Sequence, residues 1–194
     1  MSFVREGVDL ETLYALGSGR MSEEAFLAQF GGSRERAADV GARLLREAVS
    51  TRDPTAFANG LAYALKFGAP SWVVDLLIEH GKDTWHERHE DVVSFFAWNR
   101  VERAVDALAE FALTEYPYRS YDEFETLGVR CTYALADIGT LPAVARLEEL
   151  AGHGVYLATD SRKQLVRLAQ ESDDPAVRAA AKAALRRLRA RRRK

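Results

Sequence analysis

The segment from Tyr121 to Leu150 constrains the fold more than any other part of the chain, because it has the pattern of two amphipathic helices joined by a sharp turn. Apolar residues recur at helical spacing up to Ile138, and they recur again from there to Leu150. Gly139 lies between the two runs, and glycine readily adopts the left-handed conformation that ends a helix. The pattern predicts a helical hairpin. One hairpin cannot bury its own apolar face, so we expect similar hairpins to stack on it.

The rest of the chain also has helical patterns. The run WVVDLLIEH at residues 72–80 has the composition of a strand, but no other segment offers a strand to pair with it, so we predict a helix there. The sequence therefore predicts an all-α fold, a short α-solenoid of about ten helices in stacked antiparallel hairpins. Besides the central hairpin, we predict helices over residues 8–16, 22–30, 33–49, 54–68, 72–80, 83–98, 101–114, 155–170 and 175–190.

Length and composition fit one ordinary soluble domain. The chain has 194 residues, of which 47% are hydrophobic and 29% charged. We predict a single domain over residues 1–194, with cap helices in residues 1–32 and a basic tail in residues 186–194. No apolar run approaches the roughly 20 residues of a membrane span, and the N-terminus lacks the pattern of a secretory signal. With a single cysteine, Cys131, these features predict a cytoplasmic protein, and the helical context predicts that Cys131 is buried.

Charge is unevenly distributed along the chain. Residues 75–149 carry 7 basic and 16 acidic side chains, a net charge of −9, whereas residues 150–194 carry 12 basic and 4 acidic ones, a net charge of +8. An acidic surface repels nucleic acid and speeds association with a cationic protein. We therefore expect the acidic middle of the chain to contact a cationic protein partner, with nucleic acid disfavoured as a ligand.

Two stretches of the acidic middle carry the candidate contact residues, namely WHERHED at residues 85–91 and EYPYRSYDEFE at residues 115–125. Exposed tyrosines supply rigid contact area, and the carboxylates around them suit arginine or lysine side chains of a partner. Alternatively, the tyrosines pack their loop onto the solenoid, and the sequence leaves both interpretations open. The predicted partner-binding residues are Glu87, Glu90, Asp91, Tyr116, Tyr118, Asp122 and Glu123.

A metal site or an enzyme active site is the other possible use of these residues. His86-Glu87 and His89-Glu90 are metal-ligand types, but both pairs lie within five residues and no matching pair occurs elsewhere. We therefore predict no metal and no cofactor, and we expect an exposed polar helix start capped by Asp83. The sequence also contains no glycine-rich phosphate loop and no serine nucleophile motif, so we predict that the protein is not an enzyme.

Two runs resemble the HEAT-type helical repeat. The first extends from Val129 to Thr140, VRCTYALADIGT, and is followed by Pro142 and the leucines of a second helix; the second is DPAVRAAA, which starts at Asp174. Such repeats serve many unrelated proteins, so the resemblance implies an architecture more than a function. The segment from Trp85 to Leu150 also resembles small bacterial HEAT-repeat proteins that are immunity partners of polymorphic toxins. That resemblance implies a binding module that neutralises one cognate toxin.

Two other functions are kept as alternatives. A nucleic-acid-binding protein of the HEAT-like DNA glycosylase type would need a basic concave face with aromatic residues and a catalytic carboxylate, and the net charge of −9 over residues 75–149 disfavours it. A non-catalytic scaffold adaptor would share every feature of the immunity protein, so the sequence does not separate these two. The basic tail suits the C-terminal end of a helix, where cations are favoured, better than it suits a phosphate-binding arm.

Overall fold

The computed structural model describes the backbone over residues 10–122 and 125–191, and the side chains over residues 12–119 and 126–191. Every regular element in these ranges is helical, which confirms the predicted all-α class. None of the described helices combines the length and the apolar character that crossing a membrane requires. The α-helices are α1 (Leu10–Gly17), α2 (Glu23–Leu27), α3 (Arg34–Thr51), α4 (Pro54–Phe67), α5 (Ser71–His80), α6 (His89–Trp98), α7 (Val105–Leu113), α8 (Glu125–Ile138), α9 (Leu141–Leu150), α10 (Val155–Glu171) and α11 (Pro175–Arg191), with 3₁₀ helices at Ala28–Phe30, Glu102–Ala104 and Pro117–Asp122.

The chain divides into two compact units, with the boundary between Leu76 and Leu77 inside α5. The prediction of a single domain over residues 1–194 stays a prediction, since this division describes each unit by itself.

The helix starts of the first unit follow the capping rules. Ser22 accepts a hydrogen bond from the amide of Ala25 at 3.1 Å, and Asp53 accepts bonds from the amides of Thr55 and Ala56 at 2.8 and 3.0 Å.

The first unit is built on the close packing of α3 against α4. Two glycines allow this approach: a Cβ atom on Gly60 would lie 2.9 Å from the carbonyl oxygen of Gly41, which is too close for a side chain. Beside the contact, the rings of Phe26, Tyr63 and Phe67 pack together, with centroids 5.3 to 5.9 Å apart. These rings belong to the hydrophobic core of the unit, which also includes residues of α2 and of the 3₁₀ helix after it.

The second unit has the stacking expected of helical repeats. Three pairs of consecutive helices follow one another, namely α6 with α7, α8 with α9, and α10 with α11. Helix α8 packs against α6 and α10, while α9 packs against α7 and α11. The first helix of a pair therefore contacts the first helix of the next one, and the second helix contacts the second. The predicted central hairpin, α8 and α9, is therefore the middle layer. Gly139 has φ +67° and its amide donates to the carbonyl of Leu135 at 3.0 Å, which confirms the predicted left-handed helix end. Cys131 is fully buried, also as predicted.

One predicted helix boundary is wrong. Helix α6 starts at His89 instead of residue 83, and residues 81–88 form a turn, with the amide of Asp83 bonded to the carbonyl of His80 at 3.0 Å. Gly81 allows this turn, because a Cβ atom there would lie 2.3 Å from the carbonyl oxygen of Leu77 and 2.8 Å from Cγ1 of Val92. Asp83 is therefore not a helix cap.

Candidate functional site

The two candidate stretches of the sequence meet in the second unit. Nδ1 of His89 lies 2.7 Å from the hydroxyl of Tyr118, and the ring centroids of His89 and Tyr116 are 3.7 Å apart. His89 begins α6, Tyr116 directly precedes the Pro117–Asp122 helix, and Tyr118 lies in that helix, 29 positions after His89. We refer to this group as the His-Tyr-Arg cluster; its members are His86, His89, Tyr116, Tyr118 and Arg119.

Both histidines of the cluster are completely buried, each with 0% of its surface exposed. The expectation of an exposed polar stretch at residues 85–91 is thus wrong for His86 and His89. The reason is the late start of α6: because residues 81–88 turn instead of forming helix, both imidazoles point inward and stack, with ring centroids 4.7 Å apart.

The hydrogen bonds of His86 define its protonation. Its Nδ1 accepts from the backbone amide of Arg88 at 3.3 Å, so its proton lies on Nε2, which donates to the carbonyl oxygen of His80 at 3.1 Å. Burial lowers the pKa of His86, although the bond to the carbonyl and the charge of Asp83 oppose this. The neutral imidazole therefore connects the end of α5 with the turn that follows, through one hydrogen bond to each.

His89 has the same tautomer for the same kind of reason. Nε2 donates to the carbonyl oxygen of Asp83 at 3.1 Å, so Nδ1 accepts a hydrogen bond from the Tyr118 hydroxyl. Burial, with a smaller effect of the neighbouring His86, lowers the pKa of His89 to about 4, so the ring is neutral at physiological pH. A neutral His89 is what the Tyr118 bond requires, because an imidazolium has no lone pair to accept it.

Arg119 brings a buried positive charge to the cluster. Only 4% of this residue is exposed, and its Nη1 lies 2.6 Å from a carboxylate oxygen of Glu90. The other oxygen of Glu90 lies 3.0 Å from Nε of Arg130 on α8. Glu90 therefore joins α6, the Pro117–Asp122 helix and α8, and it stabilises a charge that would be costly to bury alone.

The predicted partner-binding residues fall into four groups. Glu87 is exposed, while Asp91 and Tyr118 are half-buried at the same end of α6. Tyr116 is only 1% exposed, so the expectation that it is an exposed contact residue is wrong: its ring packs under the loop against His89. Glu90 is partly exposed but is held by two arginines. The side chain of Asp122 and the whole of Glu123 lie outside the described residues.

The cluster resembles a metal site in composition but not in geometry. All four ring nitrogens of His86 and His89 lie within hydrogen-bond distance of protein groups. In the described part of the chain, no group of three or more His, Cys, Asp or Glu side chains is placed to hold a metal ion. Cys131 is buried, and burial raises the pKa of its thiol, which disfavours the reactive thiolate. The contacts of the cluster instead hold residues 116–118 against the start of α6.

The acidic middle and the basic end of the chain are partly paired with each other. Arg187 on α11 makes a bidentate contact with Glu148 on α9, at 2.8 and 2.5 Å, and Arg167 on α10 lies 2.6 Å from Asp137 on α8. Residues 77–194 carry 19 basic and 19 acidic side chains, so this unit has no net charge. Within this unit the acidic and basic segments thus balance in formal charge, and Glu148 and Asp137 pair with arginines of the basic segment.

The described part of the predicted tail, residues 186–191, belongs to helix α11. Arg187 forms an ion pair with Glu148, and Arg191 lies 3.9 Å from the same carboxylate. Comparison with known proteins adds nothing to these observations: no family model, no curated protein and no solved structure matches the chain.

Proposed function

We propose that this protein is a non-catalytic binding module that sequesters a cationic protein partner, as an immunity protein does with its toxin. One observation carries the proposal: buried His89 and Arg119 hold half-buried Tyr118, and exposed Glu87 is near enough for its charge to act on the phenol of that tyrosine. The resemblance of residues 85–150 to repeat-type immunity proteins agrees with this use of the surface.

Tyr118 has the properties of a preorganised contact residue. Its hydroxyl bonds to His89, its ring lies over that imidazole with centroids 5.5 Å apart at 22°, and the guanidinium of Arg119 lies 5.9 Å from the ring centroid. A side chain held in this way loses little conformational freedom on binding, which removes a cost of about 0.5–1.5 kcal/mol. Tyrosine is also among the residues that dominate binding energies.

The charges around Tyr118 favour a cationic contact. Burial raises the pKa of its phenol, Arg119 lowers that pKa, and the nearby charges of Glu90 and Glu87 raise it again, so both carboxylates act on this ring. Glu90 already pairs with Arg119 and Arg130, whereas Glu87 is exposed. A lysine or arginine of the partner would therefore pair with Glu87 and lie against Tyr118.

The test starts from the full chain as bait in its native host, followed by binding kinetics with the purified partner. We expect Glu87→Lys to slow association about tenfold, because it reverses the steering charge. Tyr118→Ala should act on dissociation, at about 1–3 kcal/mol. Glu102→Lys is the matched control, since Glu102 is also exposed in this unit but lies before α7, and it should bind like wild type.

Two results would contradict the proposal. One is a partner that is acidic or is a nucleic acid. The other is a cationic partner whose association and dissociation rates are unchanged by both variants. Charge reversal of Glu90 is a poor test, since it would break the two internal arginine pairs and change stability as well as binding. Co-expression with the partner adds a functional readout: growth protected by wild type should be lost with the double variant Glu87→Lys/Tyr118→Ala.

A further inference from the structure

The first unit contains an open cleft of about 670 Å³ that the proposed function does not use. Its wall is one face of α3, and its ends are the turn after the Ala28–Phe30 helix and the start of α5. The volume lies in the range of small-molecule sites, about 300–1,000 Å³. The lining residues used below are Phe30, Arg36, Asp39, Arg43, Arg46 and Trp72, together with Gly31 at one end.

Arginines dominate the charge of this cleft. Arg36, Arg43 and Arg46 all line it, and Asp39 is the single acidic lining residue, which makes a formal charge of +2. Positions 36, 39, 43 and 46 are separated by three, four and three residues, so they form one stripe along α3. The cleft is therefore cationic, whereas the whole chain has a formal net charge of −2.

Two of the arginines have defined supports. The guanidinium carbon of Arg46 lies 4.1 Å from the ring centroid of Trp72, which is a cation–π contact that orients the planar group. Nη1 of Arg36 lies against Gly31, where a Cβ atom would be only 2.9 Å away. Gly31 also has φ +62°, so glycine serves the left-handed turn there.

We propose that this cleft binds a small polyanion whose charged groups are phosphates or carboxylates. Guanidinium groups match both kinds of oxyanion, because their fork of N–H donors can form two parallel hydrogen bonds. A polyanion fits better than a singly charged anion, since three arginines line this cleft and its formal charge is +2. The buried ring of Phe30, 8% exposed, supplies an apolar part of the lining.

Asp39 makes the proposal testable in two directions. Its carboxylate lies in the stripe between Arg36 and Arg43, where it repels an incoming anion. Asp39→Asn should therefore tighten polyanion binding, while Arg36→Gln and Arg46→Gln should weaken it. A loss of structure cannot produce this pair of opposite effects, because damage to the cleft would weaken binding in every variant.

The experiment is isothermal titration calorimetry of the full chain at low ionic strength, with pyrophosphate and with citrate as the probes. We expect saturable binding of one probe molecule per chain, weakened about tenfold by Arg36→Gln or Arg46→Gln and tightened severalfold by Asp39→Asn. Arg189→Gln is the matched control for charge, since Arg189 is exposed on α11 and outside the cleft, and it should leave the affinity unchanged. Circular dichroism and Tm verify that each variant is folded.

The two probes also separate the possible sources of the anion. Tighter binding of pyrophosphate supports a phosphorylated ligand, and tighter binding of citrate supports a polycarboxylate. The proposal is overturned if neither probe saturates by about 10 mM, or if Arg189→Gln weakens binding as much as the cleft variants do. It is also overturned if Asp39→Asn weakens binding. None of these results bears on the surface around Tyr118, which is tested with a protein partner.

Discussion

Acidification from about pH 7.5 to about pH 5 should destabilise the protein by about 2 kcal/mol through His89 alone. The folded-state pKa of His89 is about 4, against 6.5 for the ordinary side chain. At pH 5 the unfolded chain therefore binds a proton at this position almost completely, while the folded protein leaves it largely neutral. The full difference corresponds to about 3 kcal/mol, reached below the folded pKa, and about 2 kcal/mol of it is expressed at pH 5.

The sign follows from the depressed pKa. A histidine that stays neutral when folded contributes its stabilisation fully above pH 6.5, and the contribution is lost as the pH falls toward 4. Burial lowers the pKa of His86 as well, so it acts in the same direction. Protonating His89 would also remove the acceptor of the Tyr118 hydroxyl, so the loop that carries Tyr118 should loosen as the pH falls through the folded-state pKa of about 4.

Urea unfolding followed by circular dichroism at the two pH values measures this effect. His89→Gln should be less stable than wild type at pH 7.5 and should lose most of the difference between the two pH values, because the titrating group is gone. His153→Gln is the matched control: His153 is exposed in the turn before α10, and its removal should leave the difference intact. The reasoning would be refuted by a wild-type difference below about 0.5 kcal/mol, or by a His89→Gln variant that keeps the full difference.

Two further predictions concern stability alone. Gly60→Ala should cost about 1–3 kcal/mol despite alanine's better helix propensity, because its Cβ would lie 2.8 Å from the backbone nitrogen of Leu45; Gly17→Ala, with no atom within 4 Å of the new Cβ, is the neutral control in the same urea assay. Cys131→Asp should cost about 3 kcal/mol or more, since it places a carboxylate at a fully buried position, and a Tm equal to that of wild type would contradict the burial of this side chain.

Helical periodicity was sufficient to predict the class of fold and most of its elements. The run around Cys131 and Leu135 has its buried positions at the predicted spacing, and both residues are fully buried. The hairpin turn was predictable because Gly139 has one local property, an accessible left-handed conformation, that no neighbouring contact has to supply. Caps such as Asp53 were predictable for the same reason, since they bond only to the next few residues.

The candidate site was predicted only in part. The sequence pointed to the residues 85–91 and 115–125 separately, as an exposed helix start and as a tyrosine loop. It did not show that His89 and Tyr118 share a hydrogen bond. The two residues are 29 positions apart, and patterns of local spacing do not indicate contacts over that distance in the chain. The one available signal was the coincidence of two histidines with a preceding glycine-containing turn, since Gly81 allows the turn that buries them.

The charge pattern shows the same division. The sequence by itself determined the totals, an acidic segment at residues 75–149 followed by a basic one, as well as the all-helical class, because composition and periodicity are local properties. Only the tertiary structure decided that Arg187 contacts Glu148 from 39 positions away, that Tyr116 is buried, and that three arginines line one cleft with Trp72. The physical reason is that pairing and burial depend on which helix faces meet, and each helix alone would allow several of its faces to be covered.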